Sequence, residues 1–116
     1  MISVIMPVYN ASKSAVSMAI ESILDQTYSE FEFIIINDDP DNHDLPLCLD
    51  YFKKKDNRIV IIENNQNLGI PKSLNRAIEL SNGKYLARMD ADDISLPDRL
   101  QTVSYTHLTL PTILLV

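Results

Sequence analysis

The stretch ISVIMPVYN, residues 2–10, is an apolar and largely β-branched run that ends in a polar turn. No residue in its first part, 2–8, is charged, which predicts a strand buried on both faces inside a parallel sheet. After the turn, apolar residues recur every three or four positions, which predicts an amphipathic helix over about residues 12–26 with Ser12 or Ser14 as its cap. The change of period marks a first βα unit.

The same alternation continues along the chain. Three further strands are predicted, over FEFIIIN (31–37), RIVIIE (58–63) and KYLARM (84–89). Apolar residues at helical spacing predict one helix that includes Leu45 and another that includes Leu74. Pro71 lies at the start of the latter and Gly83 just past its end, as helix termini prefer. The order βαβαβαβ predicts an α/β fold with a doubly wound, mostly parallel sheet.

Ligands of such sheets bind outside the carboxyl ends of the strands. The segments predicted to meet there are PVYN (7–10), NDDPD (37–41), ENNQNLG (63–69) and DADD (90–93). The last of them holds Asp90, Asp92 and Asp93, which repel one another unless a positive charge is present. Closely spaced carboxylates suit Mg²⁺ or Mn²⁺, whose remaining ligands can come from substrate phosphates.

Composition excludes several classes of function. The 116-residue chain carries a formal charge of −6, so no basic surface for nucleic acid is expected. The single Cys48 excludes an internal disulfide and suits a reducing compartment. No apolar run reaches the roughly 18 residues of a membrane span, and the N-terminus is unlike a secretory signal. We therefore expect a cytoplasmic domain, or part of a larger one.

Known motifs narrow the choice further. The chain has only two glycines, which excludes the GxGxxG dinucleotide fingerprint and the phosphate-binding P-loop. An EF-hand loop starting at Asp90 would need Gly and Glu where the chain has Ser95 and Gln101. Two histidines and one cysteine are too few for a structural zinc site. Binding of a hard cation by carboxylates is the chemistry that remains.

The combination of ISVIMPVYN, QTYSEFEFIIINDDPD and NQNLGIPKSLNRAIELSNGKYLARMDADDISLPDRL resembles the nucleotide-binding half of a family 2 glycosyltransferase with the GT-A fold. The resemblance runs from Ile2 to about Gln101. It implies an inverting enzyme that moves a sugar from a nucleotide diphosphate sugar, a UDP-sugar by preference, to a saccharide or lipid-linked acceptor. It also implies a Mn²⁺ or Mg²⁺ cofactor and a role in polysaccharide assembly at the inner face of the membrane.

The donor-binding residues that the resemblance implies are Pro7, Val8, Tyr9, Asn10, Asp38, Asn67, Gly69, Lys72 and Asp90. The first four would lie against the base and ribose, Asp38 would hydrogen-bond the base, and the next three would run beside the donor. Asp90 and Asp92 match the DxD motif, in which the first carboxylate reaches the ribose or metal and the second holds the metal against the diphosphate.

The chain departs from the family pattern at several points. Asn37 replaces the first residue of an acidic pair, and Asp39 with Pro40 replaces a small glycine that usually follows the pair. The catalytic base of the family lies well beyond the DxD motif, and no Asp or Glu follows Asp98. We therefore expect residues 1–101 to be a partial GT-A domain without transferase activity of its own. Residues 102–116 contain no charged side chain and are expected to be a non-native tail.

Two other classes of protein remain as alternatives. A phosphoacceptor signalling domain also clusters carboxylates and Mg²⁺ at strand ends, but it needs an Asp where the third strand here ends in IENNQN. A nucleotidyltransferase of similar fold typically has a glycine-rich loop after its first strand, and PVYNASKS has no glycine.

Overall fold

The computed structural model describes residues 1–101 and the backbone of residues 114–115. Its strands are β1 Ile2–Val8, β2 Phe31–Asn37, β3 Ile59–Glu63, β4 Tyr85–Arg88 and the two-residue β5 Leu114–Leu115, and its helices are α1 Lys13–Leu24, α2 Leu45–Lys55 and α3 Ile70–Leu80. The predicted order βαβαβαβ is confirmed. The prediction of a non-native tail concerns residues 102–116, which lie outside the described residues except for β5.

All strand pairs in the sheet are parallel, in the order β3-β2-β1-β4-β5. Strand β1 lies between β2 and β4, with Val8 opposite Asn37 and Ile5 opposite Arg88. Because parallel strands point the same way, the segments that follow β1, β2, β3 and β4 all leave the sheet at one edge. The predicted meeting of the four polar loops follows from this arrangement.

Helices cover both faces of the sheet. The larger apolar cluster lies between one face and helices α1 and α2, and the smaller cluster joins Ile5, Ile34, Ile36 and Ile62 to Leu74 and Ala77 of α3. Strand side chains alternate between the faces, so each strand of the centre must be apolar on both sides. The doubly wound arrangement predicted from the sequence is confirmed.

Helix ends match the predictions in part. Ser12 caps α1 by accepting a hydrogen bond from the Ala15 N–H at 3.1 Å. The helix ends at Leu24 rather than residue 26, because Asp25 leaves the helical conformation with φ of −90° and ψ of 7°. Helix α3 has Pro71 in its first turn and follows Gly69, whose φ of 88° is the left-handed region that glycine adopts readily.

Gly83 has a different role from the one predicted. Helix α3 already ends at Leu80, with Ser81 in an extended conformation, so Gly83 does not cap the helix. Its N–H donates to Ser3 Oγ of β1 at 2.8 Å. A Cβ at this position would lie 2.5 Å from the Ser3 backbone nitrogen and 2.9 Å from the Ile2 carbonyl carbon. Glycine is needed because the chain passes close to β1 as it enters β4.

We expect Gly83→Ala to lower the free energy of unfolding by about 1–3 kcal/mol, because the added methyl group forces β4 away from β1. Urea unfolding followed by circular dichroism measures the change. The exposed Asn57→Ala serves as a control and should stay within about 0.5 kcal/mol of the wild type. Equal stability of Gly83→Ala and the control would show that the close approach is not a constraint.

Candidate functional site

A cleft of about 480 Å³ opens at the carboxyl edge of the sheet. Its lining residues are Pro7, Tyr9, Asn10, Ala11, Ser12, Ala15, Asp38, Asn67, Gly69, Ile70, Arg88, Asp90, Ala91 and Asp92. They come from the ends of β1 and β4, from the segments that follow β1, β2, β3 and β4, and from the first turns of α1 and α3. A cleft of this volume suits a small-molecule ligand.

Most of the predicted site residues meet in this cleft. Those that line it are Pro7, Tyr9, Asn10, Asp38, Asn67, Gly69, Asp90 and Asp92. Val8 does not, because its side chain is fully buried in the apolar cluster under α1 and α2. Lys72 is exposed on α3 and is not among the lining residues. The structure thus brings the other predicted nucleotide-binding and metal-binding residues together in the cleft, whereas the side chains of Val8 and Lys72 lie outside it.

The loop after β1 forms one wall of the cleft. Tyr9 is 58% exposed, so its ring is accessible to a ligand. Asn10 has a φ of 55°, a left-handed conformation that asparagine tolerates better than most residues. The Asn10 N–H donates to Asp39 Oδ2 at 3.2 Å. Asp39, which the sequence placed only beside the site, therefore supports the loop after β1.

Asp38 shapes the opposite wall. Its carboxylate is buried, and Oδ1 accepts hydrogen bonds from the Leu68 N–H at 2.7 Å and Asn64 Nδ2 at 2.8 Å. Oδ2 accepts from the Gly69 N–H at 3.0 Å and Asn67 Nδ2 at 3.3 Å. A carboxylate has about four lone-pair positions, so these donors occupy all of them. Asp38 thereby fixes the loop that brings Asn67 and Gly69 to the cleft.

A second layer of hydrogen bonds supports Asp38. Asn64 is buried and also donates to Ser73 Oγ at 3.0 Å. Arg76 donates to Asn64 Oδ1 and, at 3.4 Å, to the Glu63 carbonyl oxygen. No sequence motif singled out Asn64, Ser73 or Arg76. One signal was available, because Ser73 and Arg76 lie three residues apart beside apolar positions of α3 that face the sheet.

The three carboxylates of the acidic loop after β4, residues 90–93, have two different roles. Asp93 Oδ2 accepts from the Asp90 N–H at 2.9 Å, and the Asp93 N–H donates to the Asp90 carbonyl oxygen at 3.0 Å. Asp93 therefore closes a turn, whereas Asp90 and Asp92 line the cleft. Within the described part of the chain, no three His, Cys, Asp or Glu side chains form a ready metal cage. Two carboxylates nevertheless fit Mg²⁺ or Mn²⁺, which typically take their other ligands from water and phosphates.

Arg88 also lines the cleft, and the sequence analysis did not predict it. It is the only Lys or Arg among the lining residues in the part of the chain that is described. Its guanidinium lies 3.4 Å from Asp90 Oδ1. The signal that could have identified it is its position, since it is the last residue of β4 and therefore lies at the ligand-binding edge.

Hydrogen bonds join the segment after the acidic loop, residues 96–100, to Gln26 just beyond α1. Gln26 is buried, and it donates to the Leu96 carbonyl oxygen at 2.6 Å and accepts from the Leu100 N–H at 2.9 Å. Arg99 donates to the Arg88 carbonyl oxygen at 2.8 Å. Burial lowers the pKa of Arg99, and the nearby Asp93 opposes that change. These contacts hold the acidic loop in place.

No helix in residues 1–101 is long and apolar enough to cross a bilayer.

The sequence and the fold both match known proteins. The chain is 43% identical over 101 residues to the uncharacterized glycosyltransferase MJ1057 of Methanocaldococcus jannaschii, a match that covers 87% of this chain and 35% of that protein. It is 32% identical over 101 residues to the Escherichia coli UDP-Glc:alpha-D-GlcNAc-diphosphoundecaprenol beta-1,3-glucosyltransferase WfgD, covering 87% and 38% of the two chains. The crystal structure of S. aureus TarS superimposes with a TM-score of 0.77 at 25% identity, covering 89% of this chain and 18% of TarS.

The chain thus spans only about a third of the length of the curated relatives named here, 35% of one and 38% of the other. The model of the family described as "Glycosyl transferase family 2" matches residues 3–108. This match favours the glycosyltransferase interpretation over the phosphoacceptor and nucleotidyltransferase alternatives. Because it covers most of the chain, the chain belongs to glycosyl transferase family 2.

Proposed function

We propose that this chain forms the donor-binding part of an inverting glycosyltransferase that uses a UDP-sugar together with Mn²⁺ or Mg²⁺. The observation that carries the proposal is the meeting of three features in one cleft: the loop after β1, the loop held by Asp38, and the Asp90–Asp92 pair. Together they offer an aromatic ring, backbone and amide groups, and paired carboxylates. A nucleotide diphosphate sugar can use all three, the carboxylates through a divalent cation.

The nucleoside would bind between the loop after β1 and the loop that carries Asn67. The exposed Tyr9 ring can stack on a base. A direct bond from Asp38 to the base requires that one of the four present donors be released, and the longest of these contacts is the 3.3 Å bond from Asn67. We therefore propose that Asp38 governs nucleoside binding chiefly through the shape of the 64–69 loop.

The diphosphate would lie toward Asp90 and Asp92, which would hold the divalent cation. Asp90 is about half exposed, with 54% of its side chain accessible, so its oxygens can reach a ligand in the cleft. When bound, the cation stabilises the negative charge that develops on the leaving diphosphate. The two carboxylates keep the cation in the cleft, and without it their charge would repel the donor.

In the proposed reaction, an acceptor hydroxyl attacks the anomeric carbon from the side opposite the diphosphate. The new carbon–oxygen bond forms as the bond to the diphosphate breaks, and the hydroxyl proton passes to a base. We propose that this base lies outside residues 1–101, as in the family pattern. The name of WfgD specifies UDP-Glc and a diphosphoundecaprenol acceptor, which supports a UDP donor and a lipid-linked acceptor.

We expect Asp92→Asn to weaken Mn²⁺-dependent UDP binding by at least about tenfold, or about 1.4 kcal/mol, because the cation loses a charged ligand. Metal-free uridine binding should hardly change, since the nucleoside lies away from the acidic loop. Calorimetric titration of UDP and uridine with and without Mn²⁺ measures both effects.

Asp98→Asn is the matched control for this titration. It makes the same charge change at an exposed position just beyond the acidic loop, and Asp98 does not line the cleft. We expect it to bind UDP as the wild type does. If Asp98→Asn and Asp92→Asn lose affinity equally, general charge rather than metal binding is the cause, and the metal assignment fails.

A second substitution tests the nucleoside wall. Asp38→Asn replaces one of the two carboxylate oxygens with an NH₂ group, so either the Leu68 N–H on Oδ1 or the Gly69 N–H on Oδ2 loses its acceptor. We expect the 64–69 loop to loosen and uridine binding to weaken equally with and without Mn²⁺. Asp39→Asn retains an oxygen for the Asn10 N–H and should have little effect. A loss in Asp38→Asn that appears only with Mn²⁺ would contradict the assignment.

A further inference from the structure

Arg88 lies at the end of the cleft where the diphosphate is proposed to bind. In the described part of the chain, few of its hydrogen-bond donors have a partner. Its Nε is buried and has no hydrogen-bond partner in the described part of the chain. Its terminal nitrogen lies 3.4 Å from Asp90 Oδ1, longer than the roughly 2.7–2.9 Å of a strong charge-assisted hydrogen bond. A guanidinium has five donors, and a buried donor without a partner is costly. The side chain is therefore prepared for an acceptor that the protein does not supply.

The main chain of Arg88 is held firmly, so the side chain starts from a fixed position. Arg88 pairs with Ile5 in the centre of the sheet, and its carbonyl oxygen accepts from Arg99 at 2.8 Å. The Met89 N–H that follows donates to the Ile5 carbonyl oxygen at 3.0 Å. Only 25% of the Arg88 side chain is exposed, and the residue faces the cleft. A partly desolvated cation interacts more strongly with an anion than a surface lysine does.

The charge in the cleft shows which ligand fits. Asp90 and Asp92 together balance one divalent cation, which leaves the charge of a diphosphate without a counter-charge. Arg88 is the lining residue of the described chain that carries a positive charge. Its planar fork matches two phosphate oxygens at once.

We propose that Arg88 is a donor-binding residue that contacts the diphosphate directly, an inference that rests on the proposed function. When the nucleotide binds, the guanidinium exchanges its long contact with Asp90 for phosphate oxygens. The exchange also releases Asp90 to the divalent cation. Arg88 thus couples diphosphate binding to the acidic pair, and it should distinguish a diphosphate from a nucleoside that lacks phosphates.

The test is calorimetric titration of UDP and of uridine, each with and without Mn²⁺, into the wild type and Arg88→Gln. We expect Arg88→Gln to weaken UDP binding by at least about tenfold, whereas uridine binding stays within about twofold of the wild type. Lys54→Gln makes the same charge change on the exposed end of α2 and should bind both ligands normally. Arg88→Lys keeps the charge without the fork and should lose part of the UDP affinity.

Several results would overturn the proposal. An Arg88→Gln affinity for UDP equal to that of the wild type, with tighter Mn²⁺ binding, would make Arg88 only a counter-ion of Asp90. Equal losses for UDP and uridine would make it a residue that supports the fold. If Arg88→Gln does not fold, Arg88→Lys decides, and an unchanged UDP affinity rejects the proposal. If the wild type binds neither ligand, the proposed function itself fails, whereas normal wild-type binding with an unaffected Arg88→Gln rejects only this inference.

Discussion

The parallel pairing of β1 with β2 on one side and β4 on the other is the constraint on which the rest of the structure depends. It places the carboxyl ends of the central strands at one edge, so that segments far apart in sequence form one cleft. The pairing in turn requires apolar side chains on both faces of each central strand. It also requires a close approach between the start of β1 and the segment that leads into β4, which Gly83 permits.

At that edge, hydrogen bonds from polar side chains, and not regular secondary structure, fix the backbone. The loop between β3 and α3 has few apolar contacts available, and the buried Asp38 carboxylate holds it with four hydrogen bonds. A buried carboxylate without an ion pair is expensive unless donors surround it. Asn64, Ser73 and Arg76 complete the network, so that the wall of the cleft is fixed by side chains from three separate elements.

On the proposed function, a strongly negative protein binds a negative ligand beside its acidic loop. Asp93 is used in the turn, which leaves Asp90 and Asp92 as the pair that faces the cleft. Arg88 contacts Asp90, and Arg99 and Gln26 fix the backbone on either side of the loop. In the proposed function, the carboxylates gather a cation and the guanidinium faces the diphosphate. The net charge of −6 is therefore no obstacle to donor binding.

The sequence by itself determined the alternating order of strands and helices, the parallel sheet and the edge at which the site lies. It could do so because buried strands and amphipathic helices have distinct apolar periods, and because parallel strands gather their carboxyl ends. It also identified most of the cleft residues through the family resemblance. Only the tertiary structure decided between the two predictions for Val8, the buried strand and the donor site, in favour of the core. It also showed that Asp93 closes a turn and that Gly83 serves strand packing instead of ending a helix. The four bonds to Asp38 were likewise decided there, because they join residues 26 to 31 positions apart, which no local pattern records.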